Sequence, residues 1–244
     1  LSVYNLNTTL STYILKMSIK LTLKKTFNTN KVKNFVFFTN EEFNISGLSK
    51  SPVAKFSNQI SKTINSSVNK NKDFFTFNLN HSQKIFLIKI KKNQSSLANE
   101  KIGAKFYNFA LSNAFFNTSF FEQNIIEIRS KSKYFFDEFI LGAKLKSYIF
   151  EKYKTKKNNK NLDIELIIKN NYINFDKNKR FNSIVEGSNF AKDLVSEPGN
   201  ILHPDEYAKR LKKLGKLGLK VSVYDKKKLK DMGMNALLGV GQGS

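Results

Sequence analysis

Short apolar runs with a two-residue repeat alternate with longer runs of helical repeat along residues 17–168, and this alternation limits the fold more than any other feature. From Met17, Ile19, Leu21 and Leu23 point one way and Lys20, Thr22 and Lys24 the other, the pattern of a half-buried strand. Phe35, Val36, Phe37 and Phe38 form an unbroken apolar run between polar neighbours, as a central strand does. Residues 74–79 and 84–90 read as two strands joined by the polar turn 80–83. Between these runs, Pro52 suits the first turn of a helix, and Val53, Phe56, Ile60 and Ile64 follow at helical spacing. Ser96 reads as the cap of a second helix, with Ile102, Phe106, Phe109, Ala110 and Asn113 along one stripe. Residues 120–128 are expected to form a strand, 134–150 a helix and 162–168 a strand. Strands alternating with helices predict an α/β layered domain with a mainly parallel or mixed sheet. There is no internal repeat.

The lysine- and asparagine-rich stretch 170–179 is the expected boundary of this unit. After it, Phe181, Ile184, Val185, Ser188, Ala191 and Val195 outline an amphipathic helix that stops at Pro198 and Gly199. The organisation expected is therefore three-part. Residues 1–16 form a disordered or non-native extension, 17–175 an N-terminal α/β domain, and 176–244 a linking helix and the start of a further, incomplete domain. No stretch approaches the ~18 apolar residues a membrane span needs.

The chain carries 42 Lys and Arg against 19 Asp and Glu, a formal +23. Nucleic-acid binding is one reading, since lysines on a surface release counterions from phosphate. Composition drift is the other, and the side-chain choice favours it. Only Arg129, Arg180 and Arg210 are arginines, although the guanidinium fork is the better reader of phosphate and base edges. The lysines are scattered, and the accompanying Asn, Ile and Phe all have codons built from A and T. The absence of Cys excludes disulfides, thiolate nucleophiles and Cys-ligated metals, and is compatible with a reducing, cytoplasmic setting.

Residues that could carry chemistry are few. His81 falls in a turn with no nearby carboxylate or second His, and reads as an exposed turn residue. His203 precedes Pro204, Asp205 and Glu206, a helix start in which His203 is the N-cap and the two acids complement the dipole. Gly239, Gly241 and Gly243 follow the apolar Ala236, Leu237 and Leu238. They suggest a strand running into a tight glycine turn, with phosphate binding as the less favoured alternative. Glu122, Glu127, Asp137, Glu138, Glu151, Asp163 and Glu165 are spread over different elements and form no metal-ligand pattern. No catalytic, metal-binding or substrate-binding residue is assigned on these grounds.

Motifs near the end of the chain go further. Ala191-Lys-Asp-Leu-Val195 runs into Glu197-Pro-Gly-Asn200, then Pro204 and a helix to Leu217. Val221-Ser-Val-Tyr-Asp225 follows, expected as a strand, and then Met232-Gly-Met-Asn-Ala-Leu-Leu-Gly-Val-Gly-Gln-Gly-Ser244. With Gly142-Ala-Lys-Leu-Lys-Ser-Tyr-Ile-Phe-Glu-Lys-Tyr-Lys154, this order resembles the leucyl (cytosol) aminopeptidase family. Two positions depart from the family pattern. His203 stands where Ser or Thr is usual, and Lys91-Lys92-Asn93 follows a strand that usually meets a glycine turn.

The resemblance implies a macro-domain-like three-layer α/β unit, a linking helix and a larger α/β catalytic domain, usually in a homohexamer. It implies removal of N-terminal residues from peptides, with two divalent ions, Mn or Zn, activating a bridging water and polarising the scissile carbonyl. The family's metal-binding Lys, Asp and Glu and its catalytic Arg lie in motifs like G-K-G-x-x-x-D-S-G-G and N-T-D-A-E-G-R, and neither motif occurs in residues 1–244. No cofactor is therefore expected in this stretch, which is expected to be inactive alone. Two alternatives stand beside this reading: a basic module that binds DNA, and an oligomerising or regulatory domain without chemistry of its own.

Overall fold

The computed structural model describes residues 19–128, 132–156, 161–168 and 178–242. The expectation for residues 1–16 lies outside them. The chain divides into two units, Leu1–Asn189 and Phe190–Ser244, with the division inside one helix. Residues 169–177, which cover most of the boundary expected at 170–179, are not among those described.

The first unit is built on a six-stranded sheet. Its strands are β1 (Ile19–Lys24), β2 (Asn34–Thr39), β3 (Phe74–Asn78), β4 (Lys84–Lys89), β5 (Asn117–Phe121) and β6 (Leu162–Ile167). Their order is β1-β6-β5-β2-β4-β3, and every neighbouring pair is parallel except β3–β4. The helices are α1 (Ser57–Ser67), α2 (Ser96–Ser112), α3 (Glu122–Glu127), α4 (Phe135–Lys146) and α5 (Asn178–Ser196).

Period-two side chains divide between the two faces of the sheet. Val36 and Phe38 of β2, Phe86 and Ile88 of β4, and Leu162, Ile164 and Leu166 of β6 pack with Ile102 and Phe106 of α2 and Phe136 and Phe139 of α4. On the other face, Phe35, Phe37, Ile85 and Leu87 pack with Ile60 and Ile64 of α1. The result is three layers, helix, sheet, helix. β2 is buried at all six positions because both of its faces are covered. Phenylalanines fill much of the core. Phe38 alone meets the rings of Phe120, Phe135, Phe136 and Phe139 at 4.8–6.4 Å.

Several expectations need correction. The helix expected from Pro52 begins at Ser57, after a 3-10 turn at Ala54–Phe56. The cap of α2 is Ser95, whose hydroxyl accepts from the Ala98 N–H, and Ser96 is the first helical residue. Strand 120–128 is replaced by β5, which ends at Phe121, and by α3, whose role is described below. The helix expected over 134–150 ends at Lys146.

The second unit begins in the last turns of α5. It continues through α6 (Pro204–Lys212), a 3-10 segment (Lys213–Leu217), α7 (Lys226–Asp231) and α8 (Asn235–Gln242). Residues 221–225 form no strand, and Ala236–Leu238 is helical rather than extended. A strand needs a neighbour for its ladder, and the described residues of this unit supply none. Ala and Leu instead satisfy their backbone locally, as in the Leu238 N–H bond to the Met234 carbonyl. No described helix is long and apolar enough to cross a membrane.

Candidate functional site

An open parallel sheet presents ligands at the carboxyl ends of its strands, where the strand order reverses. Here that point lies between β2 and β5. The two strands share only one register pair, Phe35↔Ser119, and part beyond it. The opening is filled from within. β5 passes directly into α3, with Phe121 serving as both last strand residue and helix N-cap. One turn of helix then carries the Asn124 side chain back to β2. Its Oδ1 accepts from the Phe38 N–H at 2.7 Å, and its Nδ2 donates to the Phe38 and Ser46 carbonyls at 3.0 and 2.9 Å. Asn124 thus gives Phe38 of β2 the hydrogen bonds that a neighbouring strand would make there.

Among the described residues a polar cluster lies where α2 and α4 begin. The Asn99 Nδ2 donates to Glu138 Oε2 at 2.7 Å, and the Ser132 hydroxyl donates to Glu138 Oε1 at 2.8 Å. Gln94 Nε2 donates in turn to Asn99 Oδ1. Glu138 and Asn99 are both buried. Beside them, Asp137 is 6% exposed and its Oδ1 has no hydrogen-bond partner. Burial, and then the charge of Glu138, push its carboxyl up to about 6. The same two causes raise Glu100. This network was not legible in the sequence, because its members come from separate elements; Asn99 and Glu138 are 39 residues apart.

The residues singled out in the sequence fall elsewhere. His81 is exposed in the β3–β4 turn. His203 is the N-cap of α6, with Pro204 in the first turn, but its side chain makes no capping bond. Glu206 accepts from Arg210 Nε at 3.1 Å, which holds its carboxyl below the usual range. Gly239 and Gly241 lie inside α8 with open space around them rather than in the tight turn expected, and Gly243 lies outside the described residues. Glu165 pairs with Lys24 and accepts from Ser119, Glu127 pairs with Lys50, and Glu151 lies 4.0 Å from Lys154. Among the described residues no three His, Cys, Asp or Glu side chains come together in a way that could hold a metal ion.

Comparison with known proteins supplies what the side chains do not. Residues 189–244 match the family model described as cytosol aminopeptidase family, catalytic domain. Over this segment the chain matches the cytosol aminopeptidases. A probable cytosol aminopeptidase of Phytoplasma mali (strain AT) is 51% identical over 112 residues, 43% of this chain and 22% of that protein. One from Methylorubrum populi is 38% identical over 110 residues, again 22% of the relative. The chain thus matches about a fifth of the length of these aminopeptidases. Among solved structures, a mutant of tomato leucine aminopeptidase superposes on 88% of this chain and 46% of its own, with a TM-score of 0.63 at 15% identity. A bottromycin maturation enzyme in complex with Mn covers 82% of this chain and 40% of its own, with a TM-score of 0.52 at 14% identity. At these identities the likeness is one of fold.

Proposed function

We propose that this chain is the N-terminal part of a leucyl-type metallo-aminopeptidase, a cytoplasmic hydrolase that removes N-terminal residues from peptides. The observation that carries the reading is the match of residues 189–244 to the catalytic-domain model, supported by a relative 51% identical over 112 residues. In this reading residues 17–175 are a macro-domain-like N-terminal domain, and residues 176–244 are the linking helix and the opening of the catalytic domain. The complete enzyme uses two divalent ions, Mn or Zn; a solved neighbour is described in complex with Mn. Its assembly is a homohexamer.

The described residues do not fit a two-metal centre, since no donor set converges. Neither of the family's metal-site motifs occurs in residues 1–244, so we assign no catalytic, metal-binding or substrate-binding role there and no step of the hydrolysis. Two measurements test the reading together. The complete protein should release leucine from leucyl anilide in the presence of Mn²⁺, and the 244-residue chain should not. Calorimetry on the 244-residue chain should detect no tight Mn²⁺ site. Activity from residues 1–244 would overturn the assignment of roles. An inactive, metal-indifferent complete protein would overturn the enzyme reading itself.

A further inference from the structure

We infer that β3 is a pairing edge for a second copy of this chain. Among the described residues two strands close the sheet, and they differ in chemistry. β1 carries Lys20 and Lys24, and lysine on an edge strand discourages further pairing. β3 reads Phe-Phe-Thr-Phe-Asn, with no charge and no proline, in a chain where 42 of 244 residues are Lys or Arg. It is the edge that lacks a guard.

The ladder tells which groups are free. The Asp73 carbonyl accepts from the Lys89 N–H at 2.8 Å, and the Leu79 N–H donates to the Gln83 carbonyl at 2.8 Å. Bonded residues alternate along an antiparallel pair, so 73, 75, 77 and 79 face β4. Phe74, Thr76 and Asn78 turn their N–H and C=O groups outward, and no described residue bonds to them there.

A second copy related by a two-fold axis through Thr76 completes this ladder. Phe74 then lies opposite Asn78 of the second copy, and Thr76 lies opposite its own counterpart. Phe75 faces Phe77 of the second copy across a non-bonded position, where side chains approach most closely. Phe75 and Phe77 are both half-buried, with ring centroids 5.7 Å apart, so the pairing would cover an aromatic surface already assembled. The register also keeps like charges apart. Within Phe74–Asn78 no charged residue is placed opposite another. A strand without charge of its own gives no handle to an acidic peptide, whereas its inverted copy sets Phe75 against Phe77 and Thr76 against Thr76.

Sedimentation equilibrium of the 244-residue chain over a range of salt tests this. A reversible dimer is expected, and it should tighten as salt screens the repulsion between two chains of net charge +23. Thr76→Lys places two ammonium groups face to face at the axis and should raise the dissociation constant about tenfold or more. Thr76→Pro removes an outward N–H that the monomer leaves unused, and should weaken the dimer while circular dichroism stays unchanged. If Thr76→Lys unfolds the chain, Thr76→Pro carries the same decision. Val240→Lys, at a site 76% exposed in the second unit, should leave the dimer intact. A chain that is monomeric at every concentration overturns the inference. So does a dimer that Val240→Lys dissociates and Thr76→Pro does not.

Discussion

Gly103 of α2 and Phe139 of α4 meet backbone to backbone: a Cβ on Gly103 would lie 1.9 Å from the Phe139 carbonyl oxygen. One turn further along α4 the relation is mirrored, and a Cβ on Gly142 would lie 1.9 Å from the Glu100 carbonyl oxygen. Two glycines, one per helix, thus set how closely α2 and α4 cross over the sheet. Neither neighbour is a flexible side chain end, so neither can give way without moving a helix.

Gly103→Ala and Gly142→Ala should each destabilise the first unit by about 3 kcal/mol, at the upper end of overpacking costs. That corresponds to a fall of roughly 10 °C in Tm. Gly187→Ala provides the contrast. Gly187 lies in α5 with nothing near its missing Cβ, so alanine should stabilise by up to about 1 kcal/mol through helix propensity alone. Thermal melts of the three variants decide the matter, and equal Tm values would refute the close crossing.

Asn124 yields a second prediction. Asn124→Leu keeps the branched shape but leaves the buried Phe38 N–H without an acceptor, and the Phe38 and Ser46 carbonyls lose a donor. A loss of about 3 kcal/mol is expected, since an abandoned buried group costs its full desolvation. Asn124→Asp should be nearly as damaging, because a carboxylate can accept from the N–H but cannot donate to the carbonyls. Urea denaturation of both variants checks this, and an Asp variant as stable as the parent would contradict the assigned bonds.

How far the sequence could reveal these features depends on the range of the forces involved. Phe35 to Phe38 and the run from Lys84 to Ile90 announced their strands, because period and apolar content are local properties. The strand expected over 120–128 holds only for Phe120 and Phe121, the end of β5. Residues 122–127 are helical instead, and Asn124 among them bonds to Phe38 of β2, 86 residues away, a contact that local pattern does not carry. Val221 to Tyr224 has strand-forming residues, but a strand exists only with a partner, and propensity carries no information about one. The cluster of Gln94, Asn99, Ser132 and Glu138 left no trace in spacing. In the second unit the motif order pointed to the family where the side chains gave no chemistry.

Asp137 makes stability depend on pH. Its carboxyl ordinarily titrates at 3.8, and burial followed by Glu138 raises it to about 6 in the folded chain. Between these values the folded state holds the proton more tightly than the unfolded state, so stability falls as pH rises through this window. Below 3.8 the penalty is absent, and above 6 it is fully present. Glu100 slopes the same way. Asp137→Asn should flatten the Tm profile between pH 4 and 6 and raise stability at pH 7 by about 1 kcal/mol, allowing for screening. A variant with the parent's slope would show that the charge is not penalised there.

Arg210 decides the last prediction, in the second unit. Its Nη1 donates to Glu197 Oε1 at 2.8 Å and its Nε to Glu206 Oε1 at 3.1 Å, with both Arg210 and Glu197 buried. Glu197 stands just after α5 and Arg210 near the end of α6, so the guanidinium ties the connecting turn at Pro198 to the helix that follows. Arg210→Met leaves a buried carboxylate without this cation and should cost about 3 kcal/mol. Arg210→Lys keeps the charge but loses the two-pronged geometry, and should cost less. Hydrogen exchange of the α6 amides reads the effect locally. Protection there should fall by roughly 100-fold in Arg210→Met, while amides of β2 and β4 in the first unit stay protected. Unchanged exchange in α6 would mean that the turn is held by its backbone bonds, such as Ile201 N–H to the Pro198 carbonyl, rather than by the ion pair.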